Sequence, residues 1–314
     1  MPTDWTDDAR RRLLDLRQGP GVWGYRARSR PAAEPSCLAA LALIAGGRES
    51  SDDRAIALAT ARRLASTRNA DGSVGVVADL PGPGWPTPFA LLLWSALGRF
   101  EAERAAAIDW LLGIAGTTKA HVQDDPLGHD GTIVGWPWIA GTHSWVEPTA
   151  QALLALAKEG RVGHPRALDG VRLLVDRAIP SGGWNLGNPV VFGTALRPLP
   201  GPTGLALLAL AATRRRSEAV DAALGYLREA LAGTLAPISL GWGLLGLRAW
   251  GAEPPEAASW LGSAFAALGA RAAGTGPVEL AMLLLAAGPG SLDRLGIEAR
   301  PDRSTSSPEA NHRA

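Results

Sequence analysis

Six times along this chain a proline opens a long apolar run, and in four of the six a Ser or Thr follows directly. The pairs are Pro35-Ser36, Pro86-Thr87, Pro148-Thr149 and Pro202-Thr203, then Pro237-Ile238 and Pro277-Val278. Successive prolines lie 51, 62, 54, 35 and 40 residues apart, so the unit persists while its loops vary. Proline suits the first helical position, where its missing N–H is not needed and its φ is already helical. The runs behind it, rich in Ala and Leu, are apolar nearly all round, which predicts helices buried on every side.

Before each run lies a segment with one apolar and one arginine-bearing face, as an outer helix needs. These segments cover Asp7–Arg17, Arg54–Ser66, Glu101–Leu112, Ala167–Arg177, Glu218–Leu231 and Pro255–Leu268. The unit is therefore an outer amphipathic helix, a Gly-rich connector and an inner buried helix. An open solenoid would leave inner helices with an exposed face, and these have none suited to water. Closure follows: an all-α fold, a single α/α toroid of six hairpins over residues 1–299. Residues 300–314, rich in Ser, Pro and charge, are expected to form a disordered tail.

Composition narrows the partners. Lys+Arg 31 against Asp+Glu 30 gives no electrostatic reason for nucleic-acid binding. Cys37 is the only cysteine, so no intrachain disulfide forms and a reducing compartment such as the cytoplasm fits. The polar stretch from Met1 to Arg12 lacks the apolar core of a signal peptide, and no apolar stretch is long enough to span a bilayer. Peripheral contact with a membrane stays open. No Walker-type loop, nucleophile elbow or dinucleotide fingerprint occurs, and no cofactor or metal is expected.

The connectors carry a family resemblance. Gly21-Val22-Trp23-Gly24-Tyr25, Asp71-Gly72-Ser73-Val74-Gly75 and Ser181-Gly182-Gly183-Trp184-Asn185 resemble the D-G-[SG]-W-G turns of squalene-cyclase and protein-prenyltransferase repeats. Residues 149–156 are similar to the T-A-x-x-L-L-A-L that follows the catalytic D-x-D-D motif of squalene–hopene cyclases. In place of D-x-D-D stands Trp145-Val146-Glu147-Pro148, with Glu147 at the central acidic position. The zinc set of the prenyltransferases is not matched, because Glu34 precedes Cys37 by three residues rather than two. The resemblance implies the toroid, an isoprenoid or other apolar ligand in a central cavity, and proton-initiated cyclisation.

The longest connector, residues 115–147, concentrates the candidate chemistry. Glu147 is the candidate acid, with Asp125, Asp130 and His143 as further catalytic candidates. The bland alternative for Glu147 is a helix cap, since Glu34-Pro35-Ser36 repeats the pattern. Trp136, Trp138 and Trp145, with Trp85, are expected around the substrate, where aromatic faces stabilise carbocations. Trp23 and Trp184, inside repeat turns, read instead as plugs. His121, Asp125 and His129 offer metal-ligand atoms, but Pro126 and Gly128 break any helix that would align them, so an exposed polar loop is expected. Six inner-helix N-termini at one mouth predict an electropositive end suited to an anionic head group. Two other classes stay in view: a non-catalytic lipid- or partner-binding relative, and a carbohydrate-active toroid pairing Asp124 or Asp130 with Glu147.

Overall fold

A computed structural model describes residues 5–47, 50–120, 126–270 and 275–297. In chain order the helices begin with α1 (Trp5–Asp15), α2 (Ala33–Ala45), α3 (Ser51–Ser66) and α4 (Thr87–Ala96). They continue with α5 (Glu101–Gly113), α6 (Val146–Lys158), α7 (Pro165–Asp176), α8 (Pro200–Ala212) and α9 (Glu218–Leu231). Last come α10 (Pro237–Ala249), α11 (Ala257–Gly269), α12 (Pro277–Ala287) and the short α13 (Ser291–Arg294). A two-residue hairpin, β1 (Val190–Val191) with β2 (Thr194–Ala195), decorates the connector before α8.

The six even-numbered helices from α2 to α12 pack in sequence, and α12 returns to α2, so the ring closes as expected. Their apolar runs are buried almost without interruption, while the odd-numbered helices from α1 to α11 bury one stripe each. The proposed tail lies outside the described residues.

The recurring Ser/Thr does more than follow a proline. In units one to four its hydroxyl accepts the N–H of a residue in the preceding connector. Trp23 donates to Ser36 (3.0 Å), Val74 to Thr87 (2.9 Å), Trp136 to Thr149 (2.9 Å) and Trp184 to Thr203 (2.9 Å). Each bond is buried and folds the connector over the N-terminus of its inner helix. Three of these connectors add a second tie through an indole. Trp23 Nε1 donates to the Leu13 carbonyl, Trp136 to Leu111 and Trp184 to Leu174, at 2.7, 2.8 and 2.6 Å.

Proline's position differs from the expectation. In α2, α6 and α8 the motif proline is the third helical residue, in α4 it is the N-cap, and only in α10 and α12 does it open the helix. All these positions lie in the first turn, where backbone N–H groups have no intrahelical acceptor. The earlier start has a consequence: Glu34 and Glu147 become the second residues of α2 and α6.

The inner ring is tightest between α8 and α10. A Cβ on Gly204 would lie 2.2 Å from the Trp242 carbonyl oxygen, so only glycine allows this approach. Gly241 plays the same part toward α12, where a Cβ would meet the Met282 carbonyl at 2.9 Å.

Thr149→Val keeps the side-chain shape but strands the Trp136 N–H in the interior. It is expected to lower the unfolding free energy by about 1–3 kcal/mol in urea denaturation. Thr213→Val, which loses only bonds to its own helix, should change it by under about 0.5 kcal/mol.

Candidate functional site

Outer helices run into long connectors, and connectors run into inner-helix N-termini, so both gather at one end of the ring. A cavity of about 660 Å³ opens there, between α2, α10, α12 and the first connector. Glu34 and Leu38, Ile238 and Trp242, and Glu279 and Met282 line it, with Tyr25 and Arg26 at its lip. On α2, α10 and α12 the lining residues are four or fewer apart, which places them on one face of each helix.

Glu34 is the chemically distinctive group. Tyr25 donates its phenolic O–H to Glu34 Oε2 at 2.7 Å. Glu34 does not cap α2; Ala32 is the N-cap, and no side chain caps that end. Burial pushes the Glu34 carboxyl above the ordinary carboxylate range; the Tyr25 hydrogen bond opposes this, and the negative charge of Glu147 adds to it. Glu147 is raised as well, by burial, and it too leaves the cap to its neighbour, Trp145. The cap reading of both residues is therefore corrected.

A helix N-terminus pulls a carboxyl pKa down, but the effect is worth about 0.3–1 kcal/mol, less than one pKa unit. Burial and a neighbouring like charge can move it by several units. In this site the second effect wins, and both carboxyls hold protons more tightly than they would in water. One turn beyond Glu147 on α6 sits Gln151, whose Oε1 is buried and accepts no hydrogen bond.

Glu34, Glu147 and Glu279 stand in the first turns of three inner helices. Glu279 differs from the other two: its Oε2 accepts the Gly276 N–H at 2.8 Å as a cap.

The other sequence candidates scatter. Trp136 is buried and tied to Leu111, with the Arg166 guanidinium 4.1 Å over its ring. It is thus the third unit's counterpart of Trp23 and Trp184, and its expected place outside the turn motif is corrected. Trp85 and Trp138 meet edge to face, their centroids 5.3 Å apart. Trp145 and His143 line a separate small pocket of about 110 Å³ with His129, Lys119 and Arg177. His143 Nδ1 faces the Thr117 hydroxyl at 3.1 Å. The Asp130 carboxylate accepts the Thr132 N–H and hydroxyl at 2.8 and 2.7 Å, an Asx turn within the loop. His121, Asp124 and Asp125 lie outside the described residues. Among those that are described, no three His, Cys, Asp or Glu side chains are placed to hold a metal ion.

Glu34 escaped sequence reasoning because it sits in the first unit, far from the long loop. The signal that could have found it was its register: Glu34 and Glu147 both stand two residues before the clamping hydroxyl.

No protein-family model matches the sequence, and no curated protein matches it either. Solved structures do match its fold. The type II terpene cyclase MstE from Scytonema superposes with a TM-score of 0.59 at 15% identity, covering 87% of this chain and 80% of that one. Its D109A variant in complex with merosterolic acid A, the product, gives 0.58 at 14% identity over 94% and 96%. The ent-copalyl diphosphate synthase from Streptomyces platensis gives 0.52 at 19% identity over 84% of this chain and 50% of that larger enzyme. The chain has the α/α-toroid fold of terpenoid cyclases.

A carboxyl whose folded pKa is raised keeps a proton that the unfolded chain releases. Its stabilising share is therefore complete below the ordinary carboxylate range and is lost as pH rises through the raised value. Glu147→Gln removes one such group and relieves the other. Relative to the unmodified protein it is expected to gain thermal stability near pH 8 but not near pH 4, read from melting curves at the two pH values.

Proposed function

We propose that this toroid binds an isoprenoid-type polyene in the mouth cavity and cyclises it by proton transfer from the Glu34–Glu147 pair. The observation that carries the reading is Glu34: a half-buried carboxyl with a raised pKa, held by Tyr25, on the wall of an aromatic-lined cavity. The fold supports it, since MstE has been captured with geranylgeranyl dihydroxybenzoate, its substrate. Glu34 is the proton donor, because it lines the cavity and Tyr25 holds it there. Glu147, assigned from sequence as the acid, is the neighbour whose charge raises Glu34 further.

In the step this implies, the Glu34 O–H bond breaks and its proton adds to a terminal alkene carbon, whose π electrons form the new C–H bond. The tertiary cation left behind is attacked by the next alkene, closing a ring. The final cation loses a proton to water, and Glu34 is reprotonated from solvent, so the product is an isomer of the substrate. Trp242 and Tyr25 offer π faces to the moving positive charge, each worth about 0.5–2 kcal/mol. Gln151 Oε1 is an acceptor for a ligand hydroxyl.

Purified protein incubated with geranylgeraniol, geranylgeranyl diphosphate and geranylgeranyl dihydroxybenzoate should yield cyclic isomers by mass spectrometry. Glu34→Gln is expected to cut turnover by about 10²–10⁴-fold. The alkaline limb of the pH–rate profile should move in opposite directions in two other variants. Glu147→Gln removes a charge that raises Glu34, so the limb moves to lower pH. Tyr25→Phe removes a hydrogen bond that lowers it, so the limb moves to higher pH. Retention of these ligands without turnover would favour the non-catalytic binding relative.

The same end of the ring suits contact with a lipid surface from which such a ligand would come. Leu80, Ile139, Leu186 and Leu235 are exposed in its connectors, and Phe192 at the hairpin tip is 82% exposed. Exposed Arg28 and Arg197 stand among them, a combination that favours anionic headgroups. The protein should co-sediment with phosphatidylglycerol-containing vesicles more than with phosphatidylcholine alone, and Phe192→Asp should reduce that fraction.

A further inference from the structure

The cavity is shallow, and one pair of rings closes it. α2, α10 and α12 each supply lining near the first turn and again at the sixth residue, which is Leu38, Trp242 or Met282. Six helical residues advance about 9 Å, which is the depth of the basin. One turn further on, Leu41, Leu245 and Leu285 have no exposed surface at all.

Phe89 on α4 and Trp242 on α10 make the barrier. These helices lie opposite each other in the ring, and the two side chains reach across its bore to stack. Their centroids are 6.4 Å apart and their planes 22° from parallel. Phe89 is 2% exposed and Trp242 7%, so the stack separates the open basin from a filled interior. Its position is built into α10. Gly241 and Gly243 flank Trp242, and the backbone beside it presses against Gly204 of α8 and Met282 of α12. With both flanks closed at backbone distance, the indole has only the bore to occupy.

Resting on the isoprenoid reading above, we propose that Phe89 and Trp242 determine specificity by setting the longest chain the cavity takes in. A chain that fits seats fully above the stack with its reactive end near Glu34. A longer chain folds back or leaves its tail at the mouth, so each added isoprene unit beyond the limit buries little new surface. Removing either ring vacates the ring's own volume at the floor, about the size of one isoprene unit, and lets the next unit enter it.

Binding of geraniol, farnesol, geranylgeraniol and squalene is measured by native mass spectrometry and by quenching of tryptophan fluorescence. In the unmodified protein the gain in affinity per isoprene unit should stop within this series. Phe89→Ala and Trp242→Leu should each move that stop toward longer chains. The affinity ratio of the first excluded chain to the last accepted one should change by about tenfold or more, since a newly buried unit is worth several methylenes. Phe89→Leu, which keeps most of the volume, should give a smaller change in the same direction, and circular dichroism melts confirm that all three variants are folded. An unchanged length profile in folded variants overturns the assignment of the floor while leaving the isoprenoid reading intact. If the unmodified protein binds none of the four chains, the isoprenoid reading itself fails, and the length stop with it.

Discussion

The buried bond from a connector N–H to a Ser or Thr hydroxyl organises this ring. It occurs at Trp23–Ser36, Val74–Thr87, Trp136–Thr149 and Trp184–Thr203. An unpaired amide at such a place would cost about 1–3 kcal/mol, so each connector is held across the start of its inner helix. That fixes where the helix begins and which side chains stand at the mouth. Glu34 and Glu147, each two residues before a clamping hydroxyl, are at the mouth for that reason. The fifth and sixth units lack the hydroxyl and have shorter connectors. They contribute wall residues, Ile238 and Trp242, Val278 and Met282, to the cavity.

The candidate acid site draws on two units not adjacent in the ring. α2 and α6 are separated by α4, yet the charge of Glu147 is felt at Glu34. Closure of the ring brings their first turns toward a common mouth. Here the two glutamates come from different hairpins, and Tyr25 from the first connector holds one of them. The raised pKa of both carboxyls comes from burial, with like charge adding at Glu34, winning over the weaker pull of the helix ends.

Much of the fold was legible in the chain because it rests on local and periodic signals. The six apolar runs, the amphipathic partners and the Gly-rich turns each mark one element, and a run without a polar face must be covered on all sides. The site was legible only in part. Glu147 stood out through its likeness to the cyclase segment, whereas Glu34 looked like a repeat of the same helix start. Trp136 looked like a cavity residue until its indole was found bonded to Leu111, which makes it the plug that Trp23 and Trp184 are in their own units.

By itself the sequence determined the number of hairpins, the inner and outer role of each helix and the all-helical class, since hydrophobic periodicity and proline chemistry act within a few turns of chain. Tertiary structure alone decided that the charge of Glu147 is felt at Glu34, how deep the cavity runs and what closes it. Those facts depend on side chains from opposite sides of the ring, Glu34 with Glu147 and Phe89 with Trp242. Their sequence separation carries no record of their approach. Only closure of the ring, drawn tight where Gly204 admits the backbone of α10, brings them within reach.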